Sequence, residues 1–157
     1  INYDVRGASA TARQQAEFIK QNLAKSGIKI KTHLNTFPAF LKKAHQGKLQ
    51  FWQDGWAMDY PDAENILQLL ISNNHPPGPN VTYFDDPQFN KYFQKLRYLE
   101  DGAEKFELMS KMEKIIHDNI PWVMEYYARN YVLIHENVKN YRQSDLIYNN
   151  MKYIRLR

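Results

Sequence analysis

The run Phe51-Trp52-Gln53-Asp54-Gly55-Trp56-Ala57-Met58-Asp59-Tyr60-Pro61-Asp62 constrains this chain most, because an apolar, strand-like segment ends in a glycine, more aromatics and a knot of carboxylates. Residues 49–56 carry groups that suit a buried strand, and Gly55 allows a bulge or the close approach of another group. Pro61 restricts Tyr60 to extended backbone and opens a turn. Asp62 then stands where it can cap a helix suggested by Ile66, Leu67, Leu69 and Leu70. In open α/β sheets, the loop between a strand's carboxyl end and the next helix is where ligands bind. Two readings of the carboxylates stay open on residue types alone. Asp54, Asp59 and Asp62 cap turns while the tryptophans fill core, or Asp59, beside aromatics, is a partly desolvated carboxylate facing a cationic group.

The surrounding pattern is α/β. Ala12, Ala16, Ile19 and Leu23 fall on one helical face, Gly27 closes that helix, and residues 28–34 alternate as a half-buried strand does. Thr36 caps a short helix containing Phe37, Phe40, Leu41 and Ala44, Gly47 ends it, and the 49–56 strand follows. Two strands joined by a helix of this length predict a parallel, right-handed crossover. Beyond the Asp62 helix, three prolines and a glycine make residues 74–80 a loop. Asp86-Pro87 starts a helix through Phe89, Tyr92, Phe93 and Leu96. Another helix spans about 103–119, with Phe106, Met109, Met112, Ile115 and Ile116 on a face read as ordinary core. Pro121 ends it, and residues 122–127 and 131–135 read as strands.

Size and composition narrow the classes. With 157 residues and 43% hydrophobic content, one α/β domain spanning residues 1–157 is the expectation. No apolar run approaches membrane-spanning length, and the start at Ile1-Asn2-Tyr3-Asp4 lacks a signal-peptide pattern, so the chain is expected to begin inside a larger protein. The net charge of +4 is spread out, with one close doublet at Lys42-Lys43, which argues against nucleic acid as a partner. Five histidines stand far apart and cysteine is absent, so neither zinc ligation nor a disulfide framework is indicated. The aspartate spacing does not match a calcium loop, and no glycine-rich phosphate cradle or Gly-x-Ser-x-Gly appears, so the residues point to no cofactor.

Residues Gly55-Trp56-Ala57-Met58-Asp59-Tyr60-Pro61-Asp62, followed by Asn65-Ile66-Leu67, resemble the Gly-Trp-x-x-Asp-Tyr-Pro-Asp-Pro-x-Asn-Phe-Leu signature of family 5 extracellular solute-binding proteins. These are the peptide and nickel receptors of ABC importers. The helix and strand before the signature, Tyr83 to Pro87 with the helix after it, Asn119-Ile120-Pro121 and the Tyr126-Tyr127 segment are similar to the family in the same order. The resemblance implies the C-terminal part of a type II periplasmic-binding-protein clamshell, a mixed sheet flanked by helices, with the N-terminal lobe outside this chain. It also implies a binding protein and not an enzyme, in the periplasm or on the outer face of the cytoplasmic membrane, which passes peptide ligand to the permease subunits of the membrane.

In peptide-binding members the aspartate at the Asp59 position pairs with the ligand's α-amino group and the aromatic at Trp56 lines a side-chain pocket. The resemblance therefore makes Asp59, Trp56, Gly55, Gln53, Asp54, Tyr60 and Met58 the candidate ligand-binding set, while Asp62 keeps its capping role. A charge-assisted bond at a dry strand end can anchor an ammonium. Two positions depart from the pattern. Ala63 replaces the second proline, and Gln53 stands where some oligopeptide binders carry an arginine that meets a peptide carboxylate. Nickel chelates, haem and sugars are alternative ligands within the family. A carboxylate hydrolase using Asp59 with Asp54 or Asp62, and a structural or docking domain, are the readings outside it.

Overall fold

A computed structural model describes residues 1–144 and 150–157. Its centre is a strand the sequence reading does not contain, β1 (Asn2–Arg6), which lies in the middle of a three-stranded sheet with order β2-β1-β3. Asparagine, aspartate and arginine in five residues give β1 a poor strand composition. The pairing supplies what composition lacks. Strand β2 (Lys31–Asn35) runs parallel to β1 in register from Asn2↔Lys31 to Arg6↔Asn35, and β3 (Phe51–Trp52) is parallel on the other side through Tyr3↔Phe51 and Asp4↔Trp52. The two expected strands are therefore parallel but not neighbours, since β1 separates them.

Asp4 is buried within this sheet because two partners reach it. Lys43 Nζ lies 2.6 Å from its Oδ1, and Asn35 Nδ2 donates to the same oxygen at 2.9 Å. A buried carboxylate without such partners would be strongly unfavourable. Lys43 of the Lys42-Lys43 doublet is thus spent inside the fold.

Helix α1 (Ala10–Lys25) starts where Ser9 Oγ accepts the Ala12 amide and ends before Gly27, whose φ of +78° is left-handed backbone suited to glycine. Its Ala12, Ala16, Ile19 and Leu23 pack with Tyr3, Val5, Ile30, Leu34 and Phe51. Helix α2 (Phe37–His45) buries Phe40 and Ala44, although the Thr36 side chain makes no capping bond and Phe37 is exposed.

The expected 49–56 strand shrinks to Phe51–Trp52. Beyond Trp52 the chain leaves the ladder, and Asp54 turns its carboxylate onto its neighbour's amide at Gly55. Asp62 then bonds the Glu64 amide at 2.8 Å, which fulfils the cap expectation one residue early, because Ala63 immediately precedes α3 (Glu64–Leu67). This helix is only four residues long and passes into a 3-10 turn at Gln68–Leu70.

Two further helices follow the expected bounds closely. Asp86 caps α4 (Pro87–Leu96) by accepting the Phe89 amide at 2.7 Å, and α5 (Ala103–Asn119) ends at Ile120, just before Pro121. Leu67, Leu70, Ile71, Phe89, Phe93, Leu96, Leu108 and Met112 form a second apolar cluster, sharing no residue with the first. Phe106 departs from the expected core face of α5 and is exposed. The side chain of Tyr83 lies against Gly47, so one contact between the halves is a ring on a glycine.

Residues 122–127 and 131–135 do not form strands. They carry β-favouring side chains, but no ladder partner lies beside them among the described residues, and Val123, Met124, Tyr126, Tyr127, Tyr131 and Leu133 face solvent. Strand propensity without a partner does not make a strand. The tail instead forms a short antiparallel pair, β4 (Val138–Lys139) with β5 (Arg155–Leu156).

Candidate functional site

Parallel pairing puts the carboxyl ends of β1, β2 and β3 on one edge of the sheet, and the segment from Gln53 to Asp62 leaves from that edge. The geometry divides the expected site residues into two groups.

Gln53 and Asp54 are engaged with the protein. The Gln53 amide donates to the Glu125 carboxylate, tying the strand end to the segment after α5. Asp54 Oδ1 lies 2.7 Å from Arg6 Nη1 and also accepts the Gly55 amide at 2.9 Å. The Arg6 guanidinium sits 5.4 Å from the centre of the Phe37 ring, and Arg6, Gly7 and Phe37 line an open hollow of about 290 Å³. Gly55 needs no glycine for close packing, since a Cβ there would meet nothing within 4 Å.

Trp56, Met58, Asp59 and Tyr60 form the second group and face outward. Trp56 is 45% exposed, Met58 46% and Tyr60 41%. Asp59 is exposed as well, so the reading of it as partly desolvated does not hold in this chain, and its carboxylate has no hydrogen-bond or ion-pair partner among the described residues. It is an acid presented by the fold and left uncommitted.

The base of this loop is firmly held. Trp56 Nε1 donates to Asn65 Oδ1 at 2.8 Å, and the Asp59 backbone amide points to the same oxygen at 3.4 Å. The Tyr60 hydroxyl donates to Glu64 Oε2 at 2.5 Å, and that bond raises the phenol above its ordinary pKa, because ionisation would set two anions together. Glu64 is held in turn by Arg97 Nε at 3.3 Å.

Asp62 gives one oxygen to the Glu64 amide and the other to Lys105 Nζ at 2.6 Å, and Lys105 also meets Asp101 at 2.9 Å. The Lys105 bond, then the amide bond, hold the Asp62 carboxyl below its usual pKa, while Asp62 and then Asp101 raise that of Lys105.

Sequence reasoning missed Arg6, Glu64, Lys105 and Glu125 as neighbours of the site. Arg6 ends the unread strand β1, and nothing in the local spacing of Lys105 or Glu125 points 43 or 72 residues back to Asp62 or Gln53. Among the described residues no group of three or more His, Asp or Glu could hold a metal ion, and no helix is long and apolar enough to cross a membrane.

The family model described as bacterial extracellular solute-binding proteins, family 5 Middle, matches residues 1–78, which include β1, the sheet and the whole loop. Over these residues the chain matches the family 5 solute-binding proteins. It is 24% identical over 144 residues to heme-binding protein A of Haemophilus influenzae, covering 92% of this chain and 26% of that protein. It is 26% identical over 136 residues to di/tripeptide-binding protein 4 of Pseudomonas aeruginosa, covering 86% and 26%. The chain thus spans about a quarter of the length of these relatives. The structure of the oligopeptide-binding protein AppA from Bacillus subtilis in complex with a nonapeptide superposes with a TM-score of 0.79 at 20% identity, over 99% of this chain and 31% of that one. The fold is part of a type II periplasmic binding protein, as the signature implies.

Proposed function

We propose that this chain forms one wall of a peptide-binding cleft in the substrate-binding component of an ABC importer, with Asp59 anchoring the ligand's α-amino group. The observation that carries the reading is the uncommitted Asp59 carboxylate, presented with Trp56, Met58 and Tyr60 on a loop whose base is pinned by Asn65, Asp62 and Glu64. An acceptor-only carboxylate suits an ammonium, and the exposed apolar and aromatic surfaces suit side chains of varied shape.

The exposed state of Asp59 fits an open cleft. A second lobe, contributed by polypeptide outside this chain, closes over the ligand and dries the site, which strengthens the ion pair. Arg6, at the end of β1 and now paired with Asp54, is the cation on the same sheet edge that a ligand carboxylate would compete for. The protein acts in the periplasm or on the outer face of the cytoplasmic membrane and hands its ligand to permease subunits. It binds and releases without bond-making chemistry.

The test is calorimetric titration of the full-length receptor, wild type and Asp59→Asn, with di- to hexapeptides carrying free or acetylated N-termini. The free pool is expected to bind wild type, and either acetylation or the substitution to cost about thirtyfold or more, the loss typical of removing one partner from a desolvated charge pair. Equal binding of free and acetylated peptides refutes the ammonium anchor, and absence of peptide binding refutes the peptide reading.

A further inference from the structure

Asn65 lies in the first turn of α3 with 1% of its surface exposed. Its Oδ1 receives the Trp56 indole N–H and, more distantly, the Asp59 backbone N–H. These donors come from two residues of a stretch without regular secondary structure, both of whose side chains face outward. We infer that Asn65 is the positioning residue of the ligand loop, a single buried acceptor that fixes the spacing between the Trp56 indole and the Asp59 carboxylate. The inference rests on the reading of those two groups as ligand-facing.

The chemistry supports a positioning role over a merely local one. A side-chain carbonyl has two lone pairs and can satisfy both donors at once. Because that oxygen is buried, losing them would leave it unpaired, so the loop is held down for as long as α3 stays folded. The Asn65 backbone is itself fixed: its amide donates to the Asp62 carbonyl at 3.0 Å, and its carbonyl accepts Gln68 Nε2 at 3.3 Å. Asp62 is in turn held by Lys105. The support therefore runs from α5 through Asp62 and Asn65 to the two ligand-facing groups.

Arg6–Asp54 and Tyr60–Glu64 hold the two ends of the loop, and between them the bonds to Trp56 and Asp59 come from Asn65. Gly55 has open space around it, Met58 is exposed, and the Asp59 carboxylate has no partner among the described residues. A site needs its groups held to about half an ångström to discriminate well, and the Asn65 oxygen is the contact placed to do that. Helix capping alone would not require the side chain to reach back to a tryptophan nine positions upstream.

The experiment compares full-length receptor as wild type, Asn65→Leu, which keeps the branching and removes the acceptor, and Asn65→Asp, which keeps an acceptor oxygen. One readout needs no ligand: hydrogen exchange of the Trp56 indole proton in protein labelled with 15N-tryptophan, with the signal assigned through Trp56→Phe. The other is the ratio of affinities for free and N-acetylated peptides. Wild type and Asn65→Asp are expected to protect the indole proton. Asn65→Leu is expected to expose it, to lose about tenfold or more in affinity for free peptide, and to bring the ratio toward one, as a displaced charged contact does.

Unprotected indole in wild type overturns the inference, as does Asn65→Leu binding within twofold of wild type or losing affinity with its indole still protected. Should Asn65→Leu fail to fold, loss of indole protection in Asn65→Asp overturns it, and retained protection with the wild-type ratio supports it. If wild type binds neither pool, the peptide reading fails while the indole comparison still decides whether Asn65 holds the loop.

Discussion

Phe93→Ala tests whether the two apolar clusters act as separate stores of stability. Phe93 lies on α4 with 2% of its surface exposed, packed in the cluster of Leu67, Leu70, Phe89, Leu96, Leu108 and Met112. Truncating a buried phenylalanine costs about 3–5 kcal/mol, since the transfer energy of the ring is lost and the cavity only partly collapses. Tyr3, Val5, Ala16 and Ile30 make up the other cluster. The cost should therefore fall on the helical half. At about 1.4 kcal/mol per factor of ten, local opening of α4 and α5 becomes roughly a hundredfold to a few thousandfold more frequent, while the β1–β2 ladder keeps its protection. Native-state hydrogen exchange of the full-length receptor, wild type against Phe93→Ala, reads this directly. Equal acceleration in β1 and α5 would refute the reasoning, because the clusters would then open as one cooperative unit.

Other perturbations follow from the same contacts. Asp62 has a folded pKa below its unfolded value, held there first by Lys105, so the stability it contributes is present above the ordinary carboxylate range and is lost as pH falls through the lowered folded value. Acid titration of Trp56 fluorescence should show a step at that lower pH, and Lys105→Met should move it upward toward the usual aspartate value; an unmoved step would place its origin elsewhere. Gly47 combines a φ of +63° with the Tyr83 ring 3.1 Å from where a Cβ would stand, so Gly47→Ala is expected to destabilise by about 1–2 kcal/mol in urea unfolding. A gain in stability there would show that the ring yields freely.

Local signals made much of the fold legible, and long-range pairing accounts for most of what was missed. Gly27, Asp86-Pro87 and Pro121 announce helix ends through chemistry confined to a few residues, and the end of α1, the start of α4 and the end of α5 appear where those residues put them. Strand β1 could not be read that way, because Asp4 is tolerated only through Lys43 and Asn35, more than thirty positions away. The reverse error occurs at residues 122–135, where good strand composition meets no edge to pair with among the described residues. At the site, residue types alone leave Asp59 between a turn cap and a ligand group, and the resemblance to the family signature marks it with Trp56, Met58 and Tyr60. The supports could not be read so, since Lys105 stands 43 residues from Asp62 and nothing near it in the chain points there.

The Asp62–Lys105 bond also ties the loop to the whole length of α5, whose Leu108 and Met112 are set in the second apolar cluster. Lys105 sits near the start of that helix, and Asn119 stands fourteen residues further on, roughly 21 Å along the axis at 1.5 Å per residue. The far end leads into the exposed stretch from Val123 to Leu133, so a single packed helix joins the support of the loop to the start of that stretch.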